Sequence, residues 1–476
     1  MIKQFSKTKI LATLGPASDS CEKLNALIDA GCDAFRLNFS HGNFDYFEKV
    51  FLSINELCVS KSLPIPILID LQGPKIRIGE LEKPEIEIFK GDQIEITTEK
   101  VIGTSKLIST SYDLLPMDAE VGNKILIDDG LIYLKVIAKG KNSITCNVVE
   151  GGKLKPKKGM NLPGMKLSTT SVTEQDFKNL EFALKHRVDF IALSFVRNAT
   201  DIILLKKWLE ERDYEKPIIA KIEKPEAVSN FESIVNVADG IMVARGDLGV
   251  ELKPYDVPII QKRIIKRCNE LGKLVITATQ MLESMVGNPV PTRAEASDVA
   301  NAVWDGTDVV MLSAETSVGK YPAQAVKLMN EIILNAECAF EFEREINYSK
   351  PEFVNEMLFD SMNKGITAIS RQINAKAIVA FSAKGNTPYS LSKFRPKAII
   401  IAVTDSFDTM NRLSMKWGVF PLYCQDISDR HKASEVVNKM ILEKNLVEHG
   451  DLVIFTEGGL KIKNIRENWV RFEIIG

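Results

Sequence analysis

Two kinds of hydrophobic pattern alternate at the start of the chain. Over residues 8–70, short apolar runs typical of buried strands are separated by stretches with the period of an amphipathic helix. Strands are predicted at Lys9–Leu14, Ala34–Ser40 and Ile65–Leu71, and helices at Ser20–Ala30 and Phe44–Val59. Gly31 is predicted to end the first helix, because glycine adopts the left-handed conformation found after many helices. This alternation favours an α/β fold.

The pattern changes over residues 71–166. Here short alternating runs are broken by Gly, Asp and Asn, and helical periodicity is nearly absent. The predicted strands are Glu85–Phe89, Gln93–Thr97, Lys124–Ile127, Ile132–Ile137 and Ser143–Val149. We therefore predict a small all-β barrel domain inserted into the first domain.

The alternation of strands and helices resumes after the insertion. Strands are predicted at Asp189–Phe195, Ile218–Ile222, Gly240–Ala244, Leu274–Thr279 and Asp308–Ser313. Helices are predicted at Glu174–His186, Thr200–Glu211, Ala227–Val237, Pro258–Leu271, Arg293–Trp304 and Pro322–Phe340. With the three earlier strands this makes eight strands, the number in a (β/α)₈ TIM barrel, and the inserted domain grows out of the third βα loop.

The last part of the chain predicts a smaller open-sheet α/β domain. Its predicted elements are a helix at Phe353–Ile373 and strands at Ala377–Phe381, Ala398–Val403, Val419–Leu422 and Leu452–Phe455. The predicted domain plan is a barrel (1–70 and 167–344), an inserted β lid domain (71–166) and a C-terminal α/β domain (345–476).

Composition excludes several classes of protein. The chain has 476 residues, 45% of them apolar, and a net charge of −2, which argues against a dedicated nucleic-acid binder. No apolar run approaches the roughly 18 residues of a membrane span, and the first residues lack the apolar segment of a secretory signal. The seven cysteines are odd in number and contain no C-x-x-C pair, so we expect reduced thiols and a cytoplasmic location.

Polar side chains gather where the predicted barrel strands end, which is where barrel active sites are built. Seven of the eight strand ends carry them, at Arg36, Asn38, Ser40 and His41, at Asp70, at Ser194, at Lys221 and Glu223, at Gly246 and Asp247, at Thr279, and at Ser313. Alternate residues of a strand share a face, so Lys221 and Glu223 point the same way. Strand ends are often polar only because solvent is near, but seven together favour an active site.

The residue types at this rim indicate a chemistry. Glu223 and Asp247 are hard oxygen donors on neighbouring strands and suit Mg²⁺ beside a phosphate, although each could instead pair with a nearby cation. Lys221 and Arg36 can neutralise charge on a transferring phosphoryl group. Gly246 would let a substrate carboxylate approach the backbone. Together these features predict a Mg²⁺-dependent barrel enzyme acting on a small phosphorylated acid.

Two further segments lie outside the barrel. The inserted domain begins with Arg77 and ends with a basic run that includes Lys158. Such a run is usually a solvated surface, but at the hinge of an insertion it also suits a mobile cationic lid. In the last domain, a loop between a strand and a helix could cradle a phosphate or be an ordinary turn, and its polar residues are Ser382, Lys384, Asn386 and Thr387.

Five stretches resemble the pyruvate kinase family, and they lie in that family's order. They are Thr8–Ser18, Arg36–Gly42, Met242–Gly249, Ala278–Ser284 and Pro291–Ala300. The resemblance implies transfer of the phosphoryl group of phosphoenolpyruvate to ADP, giving ATP and pyruvate. It also implies a Mg²⁺ or Mn²⁺ cofactor, a homotetramer, and a sugar phosphate or AMP as a possible class of effector.

The same resemblance assigns a role to each rim residue. Glu223 and Asp247 would bind Mg²⁺, Lys221 would stabilise the phosphoryl group, and Arg36 would hold the phosphate. The remaining implied roles are substrate contacts at Ser194, Gly246, Asp247 and Thr279, proton delivery at Thr279 and Ser313, nucleotide contacts at Asn38, His41, Arg77 and Lys158, and a monovalent-cation site at Asn38, Ser40, Asp70 and the carbonyl of Leu71.

The chain departs from the family pattern at two places. Many members have Glu where this chain has Lys75, close to the monovalent-cation site. We predict that the ammonium group of Lys75 replaces K⁺, which makes K⁺ dispensable. The second departure is residues 457–469, where the family's effector loop is often rich in Gly, Thr and Asn. Effector binding through Ser382, Lys384, Asn386 and Thr387 is accordingly a weaker expectation.

Two other functions remain open at this point. One is a Mg²⁺-dependent barrel aldolase or lyase, which would not need a nucleotide or the inserted lid with Arg77 and Lys158. The other is a metabolite sensor or scaffold without catalysis, which would not need to keep Lys221, Glu223 and Asp247 together.

Overall fold

The fold begins with three parallel strands and two helices. The computed structural model describes residues 5–40, 42–61, 63–339, 354–427, 430–462 and 465–476. The first elements are β1 (Lys9–Thr13), α1 (Cys21–Ala30), β2 (Ala34–Asn38), α2 (Phe44–Lys61) and β3 (Ile67–Asp70). The side chain of Ser20 accepts a hydrogen bond from the Lys23 N–H and starts α1. Gly31 ends α1 with φ at 123°, as predicted.

The inserted segment is an all-β domain with its own core. Its elements are β4 (Ile86–Ile88), β5 (Gln93–Thr97), β6 (Leu107–Ser109), α3 (Leu115–Asp118), β7 (Lys124–Ile127), β8 (Ile132–Lys139), β9 (Ser143–Glu150), β10 (Gly152–Leu154) and β11 (Met160–Asn161). They form a six-stranded sheet in the order β11-β7-β8-β9-β5-β6 and a two-stranded sheet of β10 and β4. The five predicted strands are present. The additional β6, β10 and β11 are too short to show a period.

The second part of the barrel contains the remaining five βα units. Its elements are α4 (Glu174–Ala183), β12 (Phe190–Leu193), α5 (Ala199–Glu210), β13 (Ile218–Ile222), α6 (Pro225–Ser229), α7 (Phe231–Val237), β14 (Gly240–Ala244), α8 (Arg245–Glu251), α9 (Val257–Leu271), β15 (Leu274–Ala278), a 3₁₀ turn (Glu283–Val286), α10 (Arg293–Asp305), β16 (Val309–Leu312), α11 (Ala314–Ser317) and α12 (Pro322–Cys338). The eight parallel strands close in the order β1-β16-β15-β14-β13-β12-β3-β2, which confirms the predicted barrel.

The barrel is held by two apolar layers. Alternate strand residues such as Leu11, Met242 and Ile276 fill the interior, while Ile10 and Val243 face the surrounding helices. Both strand faces are therefore buried, which explains why these strands appear in the sequence as continuous apolar runs. The helix predicted at 227–237 is in fact two, α6 and α7, separated at Asn230.

The C-terminal domain is an open five-stranded sheet. Its elements are α13 (Val354–Gln372), β17 (Ala377–Phe381), α14 (Asn386–Lys393), β18 (Ile399–Thr404), α15 (Phe407–Leu413), β19 (Val419–Tyr423), α16 (Arg430–Glu443), β20 (Leu452–Ile462) and β21 (Ile465–Ile474). The strand order is β19-β18-β17-β20-β21, and β21 runs antiparallel to β20. The stretch 457–469 thus belongs mostly to the β20–β21 hairpin, which the sequence did not predict. The predicted residues Phe340 and Phe353 and the boundary at 344–345 lie outside the described residues.

The C-terminal domain packs against the barrel at the end where the strands begin. Arg395 forms an ion pair of 2.8 Å with Asp308, which precedes β16, and a hydrogen bond of 2.6 Å to Asn269. Lys416 donates to the carbonyl of Gly272 at 3.1 Å. Met415 is fully buried within the inner apolar cluster of the barrel. These contacts leave the opposite end, where the strands finish, for the lid and the site. No helix within the described ranges is long and apolar enough to cross a bilayer.

Candidate active site

A buried carboxylate, Asp70, lies at the centre of the barrel rim. Asp70 ends β3 and is 1% exposed. Arg36 on β2 donates to Asp70 Oδ2 through Nε at 2.8 Å and Nη2 at 2.7 Å, and Lys221 on β13 approaches Oδ1 at 3.2 Å. Burial alone would raise the pKa of Asp70, but Lys221 and Arg36 hold it below its usual value. Asp70 is therefore a permanent anion that orients two cations.

The ammonium group of Lys221 connects Asp70 to the neighbouring strands. It donates to Ser194 Oγ at 2.7 Å and forms an ion pair of 2.9 Å with Glu223 Oε1. Burial would lower the pKa of Lys221, but Asp70 and Glu223 raise it above its ordinary value. A charged lysine is therefore fixed at the rim, where it can meet an anionic group.

Glu223 and Asp247 form a pair of carboxylates next to this lysine. Glu223 is 1% exposed and accepts the Phe195 N–H at 2.9 Å, whereas Asp247 is exposed. Burial raises the pKa of Glu223. The positive charge of Lys221 opposes this increase, and the negative charge of Asp247 adds to it. Across the described ranges no group of three or more His, Cys, Asp or Glu could hold a metal ion. The protein therefore offers two carboxylates to a cation, and their mutual repulsion is the kind that a bound divalent cation would relieve.

Two hydroxyls lie at the ends of the last two barrel strands. Thr279 Oγ1 accepts the Gly246 N–H at 2.7 Å and donates to the Ala278 carbonyl at 2.6 Å. Ser313 Oγ is buried and has no hydrogen-bond partner among the described residues. A Cβ atom on Gly246 would lie 3.4 Å from Thr279 Oγ1, an ordinary contact. Protein packing alone therefore does not require glycine at 246.

The predicted nucleotide and monovalent-cation residues are divided between the barrel and the lid. Asn38 lies opposite Asp70 in the β2–β3 register, and its Oδ1 accepts the Ser40 N–H at 3.1 Å. Leu71 is buried directly after Asp70. On the lid, Lys158 pairs with Asp128 at 2.8 Å and Arg77 donates to the Lys157 carbonyl at 3.0 Å. His41 lies outside the described residues.

Lys75 lies in a cavity of about 70 Å³ between the lid and the barrel. Asp129 and Asn161 line it from the lid, and Asp247 and Lys224 line it from the barrel. Burial and Arg77 lower the pKa of Lys75, while Asp247 and Asp129 oppose this shift. Within the described ranges no ion pair joins Lys75 to Asp70. The counter-charges that act on Lys75 are therefore Asp247 of the barrel and Asp129 of the lid.

The lid contacts the barrel through a short polar chain. Glu251, at the end of α8, accepts a hydrogen bond from the lid residue Asn161 at 3.0 Å and pairs with Lys224 of the barrel. On the hinge side, the guanidinium of Arg197 donates to the carbonyls of Leu167 and Thr169, both at 2.7 Å. These contacts hold the lid over the rim.

Two residues at the rim, Thr13 and Glu251, were missed in the sequence. Thr13, which ends β1, accepts a hydrogen bond from Arg36 Nη1 at 2.9 Å, so the eighth strand end also contributes. Its position on the inward face of β1, in phase with Leu11, is the signal that could have identified it. Glu251 lies on α8, a helix too short to show a period, so no sequence signal pointed to it. Arg245, the first residue of α8, directly follows the predicted strand Gly240–Ala244 and belongs to the polar strand ends.

The predicted effector loop lies at the carboxyl edge of the C-terminal sheet. Ser382 Oγ accepts the Gly385 N–H at 3.0 Å, and Lys384 and Asn386 are exposed. Thr387 is fully buried, and its hydroxyl has no hydrogen-bond partner among the described residues. The loop therefore offers one cation, exposed polar groups and an unused hydroxyl close to the start of α14.

The fold and the polar groups at the rim together indicate the class of protein. A closed (β/α)₈ barrel carries, at the carboxyl ends of its strands, two cations fixed on a buried carboxylate and a carboxylate pair beside them. Barrel enzymes place their catalytic groups at this end. The arrangement is that of an enzyme that handles a small anionic substrate, with cations suited to phosphoryl transfer.

Comparison with known proteins identifies the family. The pyruvate kinase barrel domain matches residues 5–326, and the pyruvate kinase alpha/beta domain matches residues 360–471. A pyruvate kinase of Geobacillus stearothermophilus is 45% identical over 455 residues, which are 95% of this chain and 77% of that protein. A pyruvate kinase of Staphylococcus aureus is 41% identical over 475 residues, which are 99% of this chain and 80% of that protein. A crystal structure of a pyruvate kinase from Cryptosporidium parvum has a TM-score of 0.92 at 36% identity and covers 99% of this chain and 96% of its own.

The chain belongs to the pyruvate kinase family. It is a phosphotransferase that moves the phosphoryl group of phosphoenolpyruvate to ADP, giving ATP and pyruvate in the last step of glycolysis. This assignment takes the place of the two alternative functions that the sequence left open, a barrel aldolase or lyase and a sensor or scaffold without catalysis.

Removing the central carboxylate should destabilise the fold. Asp70→Ala leaves the buried cations of Arg36 and Lys221 without their shared anion, so we expect the free energy of unfolding to fall by about 3–5 kcal/mol. Urea denaturation followed by circular dichroism measures this change. The control is Asp29→Ala, because the Asp29 side chain is 59% exposed in its ion pair with Lys61 and should contribute less than about 1 kcal/mol. Equal losses in the two variants would contradict the assignment.

Proposed function

We propose that Lys221 and Arg36 are the cations that stabilise the phosphoryl group during transfer. The observation that carries this proposal is their shared fixation on Asp70, which holds both charges at the rim before substrate arrives. Preorganised charge needs little rearrangement as charge develops on the transferring group. Ser194 accepts a hydrogen bond from the ammonium group of Lys221 and so helps to fix that group at the rim.

We propose that Glu223 and Asp247 hold Mg²⁺ or Mn²⁺. Bound there, the metal would supply positive charge to the substrate oxygens beside Lys221 and orient them. Glu223 is fixed for this task by the Phe195 N–H, and Asp247 is exposed and directed to the lid–barrel cavity. A pair of carboxylates leaves the other coordination positions to substrate and water.

We propose that Gly246, Asp247 and Thr279 contact the carboxylate end of the substrate and that Thr279 and Ser313 serve proton delivery. After the phosphorus–oxygen bond to the enol breaks, C3 of enolpyruvate must gain a proton to give pyruvate. The Thr279 hydroxyl is held by two backbone groups, while Ser313 Oγ is free of protein partners among the described residues. This difference supports Thr279 as the fixed hydroxyl and Ser313 as a buried hydroxyl that the described residues leave able to hydrogen-bond with substrate.

We propose that Asn38, His41, Arg77 and Lys158 bind the phosphates of the nucleotide. Support comes from the position of the lid. Arg77 and Lys158 lie on the domain that Asn161 joins to the barrel through Glu251. Both lid cations are held by partners within the lid, so a movement of the lid carries them together.

Loss of a metal ligand should reduce metal affinity and activity together. Glu223→Gln keeps the shape and can still accept the Phe195 N–H, but it removes the charge that a divalent cation needs. We expect Mn²⁺ affinity, measured by electron paramagnetic resonance titration, to fall by more than about tenfold. Release of pyruvate from phosphoenolpyruvate and ADP should fall in parallel. Glu210→Gln on the exposed face of α5 is the control, and unchanged Mn²⁺ affinity in Glu223→Gln would refute the assignment.

We propose that Lys75 makes K⁺ dispensable. The monovalent-cation site implied by the family lies at Asn38, Ser40, Asp70 and Leu71. The oxygens of Asp70 are held by Arg36, Lys221 and Ser194. The charges that act on Lys75 are those of Arg77, Asp247, Asp129 and Lys221, and no ion pair with Asp70 is present among the described residues. The ammonium group of Lys75 therefore supplies positive charge to the same rim. This position supports the proposal that Lys75 replaces the charge of K⁺ more than it supports binding of Lys75 to the K⁺ ligands.

The K⁺ requirement provides a direct test. In a buffer of tetramethylammonium salts with Mg²⁺, the wild-type protein should form pyruvate at the same rate, within about twofold, whether or not K⁺ is added. Lys75→Glu should need K⁺, because a cation would then be required beside the new carboxylate. Lys90→Glu, an exposed charge reversal on the lid, should behave like the wild type. Strong stimulation of the wild type by K⁺ would refute the role of Lys75.

We propose an effector site at Ser382, Lys384, Asn386 and Thr387. The unpartnered, buried hydroxyl of Thr387 supports a polar ligand there. With only one cation in the loop, a sugar phosphate or AMP would be held mainly by hydroxyl and backbone groups. The expected result is a lower half-saturating concentration of phosphoenolpyruvate with one of these ligands, and loss of that effect in Lys384→Ala. No change with any of them would count against the site.

We propose a cytoplasmic homotetramer. All seven cysteines lie within the described residues and none forms a disulfide bond, which supports a reducing compartment. The edge strand β21 exposes a row of apolar side chains, with Val470 at 37%, Phe472 at 49% and Ile474 at 67%. Exposed apolar edge strands are surfaces at which a second chain can pair. A monomeric sedimentation coefficient at micromolar concentration would be evidence against the assembly.

A further inference from the structure

The turn after β15 has an unusual backbone. Thr279 and Gln280 both adopt left-handed conformations, with φ at 65° and 54°. Neither is glycine, and a β-branched residue such as threonine is disfavoured there. Such a residue is strained and persists only where its surroundings compensate. The turn must therefore be held by contacts from outside it.

Arg245 supplies those contacts. Its side chain is buried and reaches three consecutive carbonyl oxygens of the turn. Nε donates to Ala278 O at 3.3 Å and Thr279 O at 3.2 Å, and Nη2 donates to Thr279 O at 2.6 Å and Gln280 O at 3.2 Å. The planar guanidinium presents its donors in a fixed arrangement, which one ammonium group cannot reproduce.

Arg245 is itself held from the other side. Nη1 donates to Asp298 Oδ2 on α10 at 2.6 Å and to Gln261 Oε1 on α9 at 3.4 Å. The Asp298 side chain is 37% exposed, so this ion pair lies at the surface side of the guanidinium. Two helices of the barrel thus fix the plane of Arg245, and Arg245 fixes the turn.

The hydroxyl of Thr279 is fixed by the residue next to Arg245. Gly246 N–H donates to Thr279 Oγ1 at 2.7 Å, while the Arg245 side chain holds the Thr279 carbonyl. The first two residues of α8 therefore define both the backbone and the side chain of Thr279. A small change in the plane of Arg245 would move the hydroxyl relative to a substrate seated against Gly246.

We propose that Arg245 is a positioning residue for the protonation of enolpyruvate, acting through Thr279. This inference rests on the proposed role of Thr279 at that step. Arg245 holds the hydroxyl of Thr279 in place without taking part in metal binding or in stabilising the phosphoryl group. In the balanced step, the enolate left by phosphoryl transfer gains one proton at C3 from solvent by way of the Thr279 hydroxyl. Its C2–C3 double bond becomes a single bond as its oxygen becomes the ketone oxygen of pyruvate, and no oxidant or reductant is needed.

The test measures the proton step separately from metal binding. The exchange of the C3 hydrogens of pyruvate with D₂O, in the presence of Mg²⁺ and ATP, is followed by NMR. Arg245→Lys keeps the charge but loses the planar arrangement, and we expect exchange to fall by about 100-fold, the scale of a misplacement near 1 Å. Mn²⁺ affinity should stay within about twofold, and the KM values for phosphoenolpyruvate and ADP should change less than kcat.

Three further variants complete the experiment. Asp298→Asn keeps an acceptor for Arg245 without the charge, so exchange should fall less than in Arg245→Lys, and this variant also serves if Arg245→Lys does not fold. Arg267→Lys, a surface arginine paired with Glu232 and Glu270, is the control for the same substitution. Thr279→Val tests the proposed role of Thr279 directly.

The outcomes separate the two hypotheses. Normal exchange in Thr279→Val would overturn the role of Thr279 itself. Slow exchange in Thr279→Val with normal exchange in Arg245→Lys and Asp298→Asn would overturn only the positioning role of Arg245. A parallel loss of Mn²⁺ affinity, exchange and thermal midpoint in the Arg245 and Asp298 variants would show a general structural role and would also overturn the proposal.

Discussion

The rim depends on one electrostatic arrangement, a buried carboxylate with a cation on each side. Asp70 lies where water is excluded, and Arg36 and Lys221 share it. Burying any one of these charges alone would be costly, but together they form a compensated set. Since each of the three is on a different strand, the set also fixes the register of the rim. An incoming phosphate meets charges that are already in place, and its own charge adds to that of Asp70.

Strained backbone occurs at the same end of the barrel. Three of the ten non-glycine residues with positive φ in the described part of the chain, Phe195, Thr279 and Gln280, lie within two residues of the end of a barrel strand. The Phe195 N–H donates to Glu223, and the Thr279 hydroxyl accepts the Gly246 N–H. The apolar layers inside and outside the strands supply the stability that sustains this geometry. The barrel thus acts as a rigid support, while the lid is joined to it by a few polar contacts.

Much of the fold could be predicted from the sequence, and the limits have physical causes. The eight barrel strands were recognisable because strands buried on both faces form continuous apolar runs. The hairpin strand β21 was missed, since its mixed polar and apolar residues give no continuous run, and α8 and α11 are shorter than two helical turns. For the site, strand ends identified Asp70, Lys221 and Glu223. The neighbours of Lys75 and the contacts of Arg245 depend on distant segments meeting, which no local pattern encodes.

The position of Met415 has a consequence for the independence of the domains. This residue of the C-terminal domain belongs to the same buried cluster as the side chains that fill the barrel interior. Met415 packs against the inward-facing side chains at the end of the barrel where the strands begin, so the two domains share one hydrophobic core at that point. Separating the two domains would expose the apolar interior of the barrel to water, and the separated domains would tend to aggregate. We therefore expect the barrel and the C-terminal domain to unfold together, although they are two units of architecture.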